Sequence, residues 1–259
     1  MNKSLSKQEI KSKLKKDYQN FDIKIFDTVT STNDFAKEII NSNNFEHGTT
    51  IIANTQTKGR GRFGKTFFSP SDTGIYLSTI FNIHLKIQDI SLITIISAIA
   101  VCNTISEITG LSPQIKWIND VYLNNKKVCG ILVENINDTT NLISKAVVIG
   151  IGINISTNVF PQDIQNIATS VMADVSRNIF IAELINNLYD LLKDIHSKNI
   201  IEQYKQLSLV LGKKITYTLN NTTYVGTALD INESGNLIIT DGKNIYNLDC
   251  GEVSIKLQI

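Results

Sequence analysis

Four cations, Lys58, Arg60, Arg62 and Lys65, and three glycines, Gly59, Gly61 and Gly64, fall within residues 58–65. Cations at that density can surround an anion, and glycines let backbone N–H groups approach it, so phosphate or carboxylate chemistry suits this stretch. A solvated basic surface loop is the other reading that composition allows. Residues 59–66, GRGRFGKT, also satisfy G-x-x-x-x-G-K-[ST] and G-x-G-x-x-G, the phosphate-loop pattern and the glycine pattern of Rossmann and kinase sites. None survives its context. A phosphate loop needs a helix opening at Lys65-Thr66, yet FFSPSDTG leads into a strand pattern and Pro70 stands in the way of a helix. The Rossmann pattern needs that same helix and an acid at the tip of the next strand, which ends near Phe81 without one. A kinase needs H-R-D, whereas His47, His84 and His196 are followed by Gly48, Leu85 and Ser197.

The elements that must carry this loop are legible from periodicity. FDIKIF (21–26) alternates like a strand, and Ser31, Thr32 and Asn33 offer capping side chains to DFAKEII, whose Phe35, Ile39 and Ile40 form one helical stripe. TTIIAN before the loop and GIYLSTIF (74–81) after it are strands. Across 89–109, Leu92, Ile95, Ile96, Ile99, Cys102, Ile105 and Ile108 recur at helical spacing, with Gly110 as the stop, which predicts a buried helix. QIKWI, DVYL, KVCGILVE and KAVVIGIGI read as four further strands, with Asn124-Asn125 in turn position, and helical patterns return at 179–192 and 200–209. Beyond Gly212 five short strand patterns at close spacing predict a small β-barrel. The first sixteen residues carry six lysines against one glutamate and predict a frayed, solvated helix.

Composition narrows the class. A chain of 259 residues, 42% hydrophobic and 19% charged, buries a substantial core, and a net charge of +1 provides no global field for nucleic acid. No apolar run approaches the ~18 residues needed to cross a bilayer, and the N-terminus lacks the apolar centre of a secretion signal, so the cytoplasm is the expected compartment. Cys102, Cys129 and Cys250 are too scattered for a disulfide framework, and the histidines lack metal-ligand spacing beside them.

Residues 57–70, TKGRGRFGKTFFSP, resemble the adenylate-binding signature of biotin protein ligases, whose usual form is close to GRGRxGRxWxSP. STND at Ser31, Gln56, KWIND at Lys116, KVCGILVE at Lys127, VIGIGINI at Val148 and the closing GEVSIK at Gly251 then follow in that family's order. Lys65 replaces the usual arginine, Phe67 the usual tryptophan and Ile118 the usual proline. Lysine keeps the charge but loses the planar fork, while Phe67 keeps a stacking face. The resemblance implies an α+β fold. A mixed β-sheet flanked by helices, of the class II synthetase-like ligase type, is expected over residues 21–211, after a basic segment at 1–20 and before an SH3-like β-barrel at 212–259. Some members carry a winged-helix repressor domain, for which the residues before the first strand leave no room, so binding to nucleic acid or to membranes is not expected.

The implied reaction joins biotin and ATP into biotinyl-AMP and then passes biotin to a lysine of a biotin carboxyl carrier protein domain. Its first step forces two anions together. At ~4 Å and an effective dielectric of about 20, like charges repel by roughly 4 kcal/mol, so a fixed cationic collar is the first requirement. By resemblance, Arg60, Arg62 and Lys127 are catalytic. Ser31, Thr32, Asn33, Gln56, Arg60, Gly61, Arg62, Lys127 and Gly130 are expected to bind biotin. Gly59, Arg62, Lys65, Phe67, Asn119, Asp120, Gly152 and Asn154 are expected to bind the adenylate. Mg2+ is expected mainly on the ATP phosphates rather than in a protein-held metal site, and monomer and homodimer both stay open. Trp117 is expected in the core. The nearest rival is a lipoate ligase or octanoyltransferase of the same fold. The R-R-x-S-G-G-G motif of the former is absent, and Cys129, in an apolar strand, reads as a small buried residue rather than the nucleophile of the latter. A non-catalytic nucleotide sensor would be expected to lose the cationic set, which is intact.

Overall fold

Alternating β-branched residues make β1 (Ile23–Val29), which pairs in parallel with β2 (Thr50–Gln56). β2 runs through the glycine-rich loop into the antiparallel β3 (Gly74–Phe81). With β4 (Gln114–Lys116), β5 (Asp120–Leu123), β6 (Lys126–Asn137) and β7 (Ser144–Asn154), these form a seven-stranded mixed sheet ordered β1-β2-β3-β7-β6-β5-β4. This computed structural model describes residues 4–43, 45–81, 89–137, 144–219, 222–249 and 254–257. Central β3 is buried at every position, as expected of a strand covered on both faces.

One face is covered by α2 (Thr32–Asn41), whose Ala36 and Ile40 pack on Ile51, Ile80, Ala146 and Val148. On the other lie α3 (Ile90–Thr109), α4 (Arg177–Leu192) and α5 (Lys198–Gln206), whose apolar residues join the main core. This is the expected sheet flanked by helices. α3 corrects the expectation that no apolar run could cross a bilayer. Its 20 residues are long and apolar enough by length and composition, and 67% of its most apolar window is buried inside the protein, as in a core helix.

The predicted frayed N-terminal helix is also corrected. α1 (Lys7–Lys13) is capped by Ser6, and Ile10, Leu14 and Tyr18 are buried in the main core. Two buried asparagines of α4 hold its backbone: Asn178 accepts from the Ser6 N–H at 3.0 Å, and Asn186 accepts from the Lys15 N–H at 2.9 Å. The lysine count hid this, because three apolar side chains at helical spacing suffice to dock a short helix whose cations stay in water.

The C-terminal pattern folds as β8 (Lys214–Leu219), β9 (Thr222–Ile231), β10 (Leu237–Thr240), β11 (Ile245–Leu248) and β12 (Ser254–Leu257), a five-stranded antiparallel sheet ordered β11-β10-β9-β8-β12. Ile215, Ala228, Ile231 and Ile239 share one hydrophobic cluster with α3. The buried Trp117 donates its indole N–H to the Gly235 carbonyl at 2.9 Å. Sharing that core offsets the thin interior of so small a sheet. Gly251 of the closing motif, Cys250 and His84 lie outside the described residues.

Candidate functional site

Parallel pairing of Val29 with Gln56 brings the end of β1, and hence the start of α2, beside the end of β2. Ser31 caps α2, its Oγ accepting from the Asp34 N–H at 3.4 Å, and the first turn then directs Thr32 and Asn33 inward, where both are buried. Gln56 Oε1 accepts from the Thr32 N–H at 2.8 Å, and its Nε2 donates to Ser69 Oγ at 2.9 Å. Ser69 Oγ in turn donates to the Phe67 carbonyl at 2.9 Å, so the far end of the glycine-rich loop is tied to the base of α2. Asn33 Nδ2 donates to the Leu132 carbonyl at 3.2 Å and to Glu134 Oε2 at 2.8 Å. Its amide lies flat on β7, where a Cβ on Gly150 would come within 2.0 Å of Asn33 Oδ1.

The loop folds back on itself as a small hairpin. The Gly61 N–H donates to Lys65 O at 2.7 Å, the Phe67 N–H donates to Gly59 O at 2.9 Å, and Arg60 bridges Thr66. A Cβ on Gly59 would meet Phe67 O at 2.4 Å, so only glycine fits this closure. Phe67 turns its ring inward over Gly152 and Gly130, whose missing side chains make room for it. Thus both glycines serve close approach, here to the Phe67 ring.

The cations divide into two groups. Arg60 bonds Asp34 at 2.5 Å and lies 3.2 Å from Glu134, which also contacts Lys37 at 2.6 Å. Burial works to lower the Arg60 pKa, but those carboxylates outweigh it and hold the pKa above its ordinary value. Lys127 Nζ bonds Asp120 at 2.6 Å, Asn119 Nδ2 donates to the same carboxylate at 3.1 Å, and Asn119 Oδ1 accepts from Arg62 at 3.1 Å. Asn119 and Asp120 therefore orient the two cations that the sequence placed beside the phosphate. Lys65 is exposed on the hairpin. Asn154 ends β7, donating to Thr169 O at 3.0 Å, while its Oδ1 is buried without a hydrogen-bond partner.

Ser31, Thr32, Asn33, Gln56, Arg60, Phe67, Gly130 and Gly152 line one cavity of about 20 Å³. That space holds a single water, so a larger ligand enters only by moving the Phe67 ring or the loop. Gly59, Gly61, Arg62, Lys65, Lys127, Asn119, Asp120 and Asn154 are not among its lining residues. Sequence reasoning missed Leu77, Leu132, Gly150 and Ile151 in the lining, and Ser78 and Glu134 behind it. Gly150 was accessible in principle, since it shares a strand face with Gly152 at period two. Chemically, the site offers hydrogen-bonding groups at a buried end, apolar walls, and cations toward the loop. That suits an organic acid with a polar head group, joined at its carboxylate to a phosphate.

Comparison with known proteins extends the likeness over nearly the whole chain. The description "Biotin/lipoate A/B protein ligase family" matches residues 25–154. The bifunctional ligase/repressor BirA of Bacillus subtilis is 30% identical over 257 residues, covering 95% of this chain and 78% of its own. The biotin-[acetyl-CoA-carboxylase] ligase of Mycobacterium tuberculosis is 26% identical over 217 residues, 80% of this chain and 78% of its own. Among solved structures, the biotin protein ligase of Aquifex aeolicus in complex with biotin and ATP superposes with a TM-score of 0.78 at 26% identity, covering 92% of this chain and 99% of that one.

Proposed function

Since the chain belongs to the biotin/lipoate A/B protein ligase family, we propose that it is a biotin protein ligase, which activates biotin with ATP to biotinyl-5'-AMP and transfers the biotin to a lysine of a biotin carboxyl carrier protein. The observation that carries this reading is the convergence of Ser31, Thr32, Asn33, Gln56 and Arg60, from three separate segments, on one cavity beneath the loop.

In the proposed division of labour the cavity's polar end holds the ureido ring. Arg60, Gly61 and Arg62 meet the carboxylate and phosphate, and Lys127 bridges the two. Carboxylate attack on the α-phosphorus forms the mixed anhydride and expels pyrophosphate. Arg62 and Lys127 offset the charge that accumulates there, with Asn119 and Asp120 fixing their positions. Gly59, Lys65, Phe67, Gly152 and Asn154 are assigned to the adenylate. Among the described residues, no group of three or more His, Cys, Asp or Glu side chains is placed to hold a metal ion. Mg2+ is assigned mainly to the phosphates of ATP, where it would add positive charge. The acyltransferase alternative needs a reactive thiol, and burial pushes the Cys129 thiol well above its ordinary pKa. The cytoplasm remains the proposed compartment, in keeping with ATP use and with Cys102 and Cys129 as free thiols.

The test is pyrophosphate release by the purified protein without any carrier, followed by transfer of label from biotin to an added carrier domain. Release that depends on biotin and not on lipoate is the expected result. Release that ignores biotin but follows lipoate overturns the substrate.

A further inference from the structure

The carrier's lysine arrives in the wrong protonation state. At its ordinary pKa of about 10.4 it is almost wholly an ammonium near pH 7, with no lone pair to attack a mixed anhydride. Three carboxylates stand among the cations of the site. Glu134 is held by Lys37 at 2.6 Å and by Asn33 Nδ2 at 2.8 Å, contacts that remain when Arg60 turns to a ligand. Asp34 likewise keeps Lys37, at 3.6 Å. Asp120 differs. Among the described residues Lys127 is its one ion-pair partner, at 2.6 Å, and the Asn119 amide that also bonds it, at 3.1 Å, is neutral. Lys127 Nζ in turn lies against the cavity wall, since a Cβ on the lining residue Gly130 would stand 3.2 Å from it. Asp120 thus sits directly behind an ammonium that faces the ligand, with its side chain 23% exposed.

We propose that Asp120 is a catalytic residue of the transfer step: once Lys127 has moved onto the biotin carboxylate and α-phosphate, the Asp120 carboxylate takes the carrier lysine's ammonium in its place and accepts a proton from it. A half-buried carboxylate deprived of its cation draws another strongly, and the carrier lysine supplies the same group that Asp120 already binds. With Lys127 and Arg62 close by on the ligand, their charge favours the neutral form of the incoming nitrogen and eases the proton's passage to Asp120. The amine's lone pair then forms the C–N bond at the acyl carbon, the anhydride C–O bond breaks, and its electron pair departs on AMP. The nitrogen's second proton leaves with the AMP phosphate, and Asp120 returns its own to water. The other titratable groups that feel the Asp120 charge, Tyr122, Cys129 and Tyr204, are all pushed upward by burial and stay neutral between pH 7 and pH 9. One carboxylate therefore serves two ammonium groups in turn.

This role rests on the ligase reading, and the experiment separates the two. Purified biotinyl-AMP is supplied in single turnover to the native protein and to Asp120→Asn, so that adenylation does not enter, with a carrier domain or hydroxylamine as the acceptor. Asparagine keeps the shape of aspartate and can still accept from Asn119. Hydroxylamine is already neutral at pH 7 and needs no base. At pH 7 Asp120→Asn should transfer biotin to the carrier about a hundredfold more slowly than the native protein, while its reaction with hydroxylamine falls by no more than about threefold. Between pH 7 and pH 9 the variant's rate with the carrier should climb about tenfold per pH unit, as the fraction of free amine does, and the native rate far less. Asp120→Glu, which keeps a carboxylate, should restore the shallow profile. Equal losses toward the two acceptors, or an Asp120→Asn profile as shallow as the native one, overturns the role of Asp120 while leaving the ligase reading intact. A native protein that passes no biotin from biotinyl-AMP to the carrier overturns both.

Discussion

At the inner end of the pocket, Thr32, Asn33 and Ser78 are buried and bonded to one another, whereas toward the loop Arg60 and Lys127 are 41% and 33% exposed and paired with carboxylates. The inner end is already arranged for a neutral polar ring. The outer end is arranged for itself, its Arg60 and Lys127 neutralised by Asp34, Glu134 and Asp120. Once the Phe67 ring or the loop has moved to admit it, recognition of the ring therefore demands little rearrangement of these polar groups. Holding two anions demands an exchange of partners, in which carboxylates of the protein give up their cations to the carboxylate and phosphate of the ligands. Built-in acids of this kind keep the collar from repelling itself before ligands arrive.

Lys127→Ala tests that contrast at its strongest point. It should lower the rate of biotin-dependent pyrophosphate release by about a hundredfold, equivalent to ~3 kcal/mol in the transition state, with little effect on thermal unfolding. Adenylation at a near-native rate would remove Lys127 from the chemistry. Gly150→Ala should act on the other end. A methyl group within 2.0 Å of Asn33 Oδ1 must displace that amide, so the KM for biotin should rise by about tenfold with kcat nearly preserved. A rise in the KM for ATP alone would mean the two ends are not separable. Asn119→Ala releases Arg62 without removing it, and a loss of about fivefold in kcat is expected, smaller than for Lys127→Ala because the charge remains. Equal rates with and without Asn119 would mean that ligands alone position Arg62.

The smallest effect lies outside the site. Burial alone would raise the Asp190 pKa, but hydrogen bonds from Lys15, Tyr18 and Lys193 outweigh it and bring it down to about 2. Because the folded value lies below the ordinary one, this contribution is complete above about pH 4 and is lost as pH falls toward 2. Surface screening limits it to roughly 1 kcal/mol or less. Comparing melting temperatures at pH 5 and pH 3, the native protein should lose slightly more than Asp190→Asn, and an identical loss would assign α1 docking to its apolar residues alone.

The strands were legible along the chain because apolar alternation and glycine stops are local properties, and the pocket's first line, Ser31, Thr32, Asn33 and Gln56, was legible through resemblance to a family whose motifs follow in the same order. What the sequence concealed was direction and pairing. Glu134 sits inside a recognised motif, yet its bond to Asn33 spans 101 positions, and Ser78 is one of several hydroxyls in a mostly apolar strand. The docking of α1 was hidden for a similar reason, since Asn178 and Asn186 resemble ordinary polar residues of a surface helix until the backbone they hold is seen.

Trp117 stands two residues before Asn119 and three before Asp120, and its indole N–H is bonded to the small C-terminal sheet at Gly235. The same stretch is braced from α5, where Tyr204 donates to the Ile118 carbonyl at 3.0 Å, and by Leu207 and Leu209, which exchange backbone bonds with Ile115 at 2.7 Å. The small sheet thus acts as a strut beneath the ledge whose Asn119 and Asp120 hold Arg62 and Lys127, even though it contributes no residue to the cavity lining. Take the strut away and the ledge loses its brace at Trp117 and keeps only those from α5 and its neighbouring strands, so the aim of the cations, and not the shape of the ring pocket, is what the small sheet underwrites.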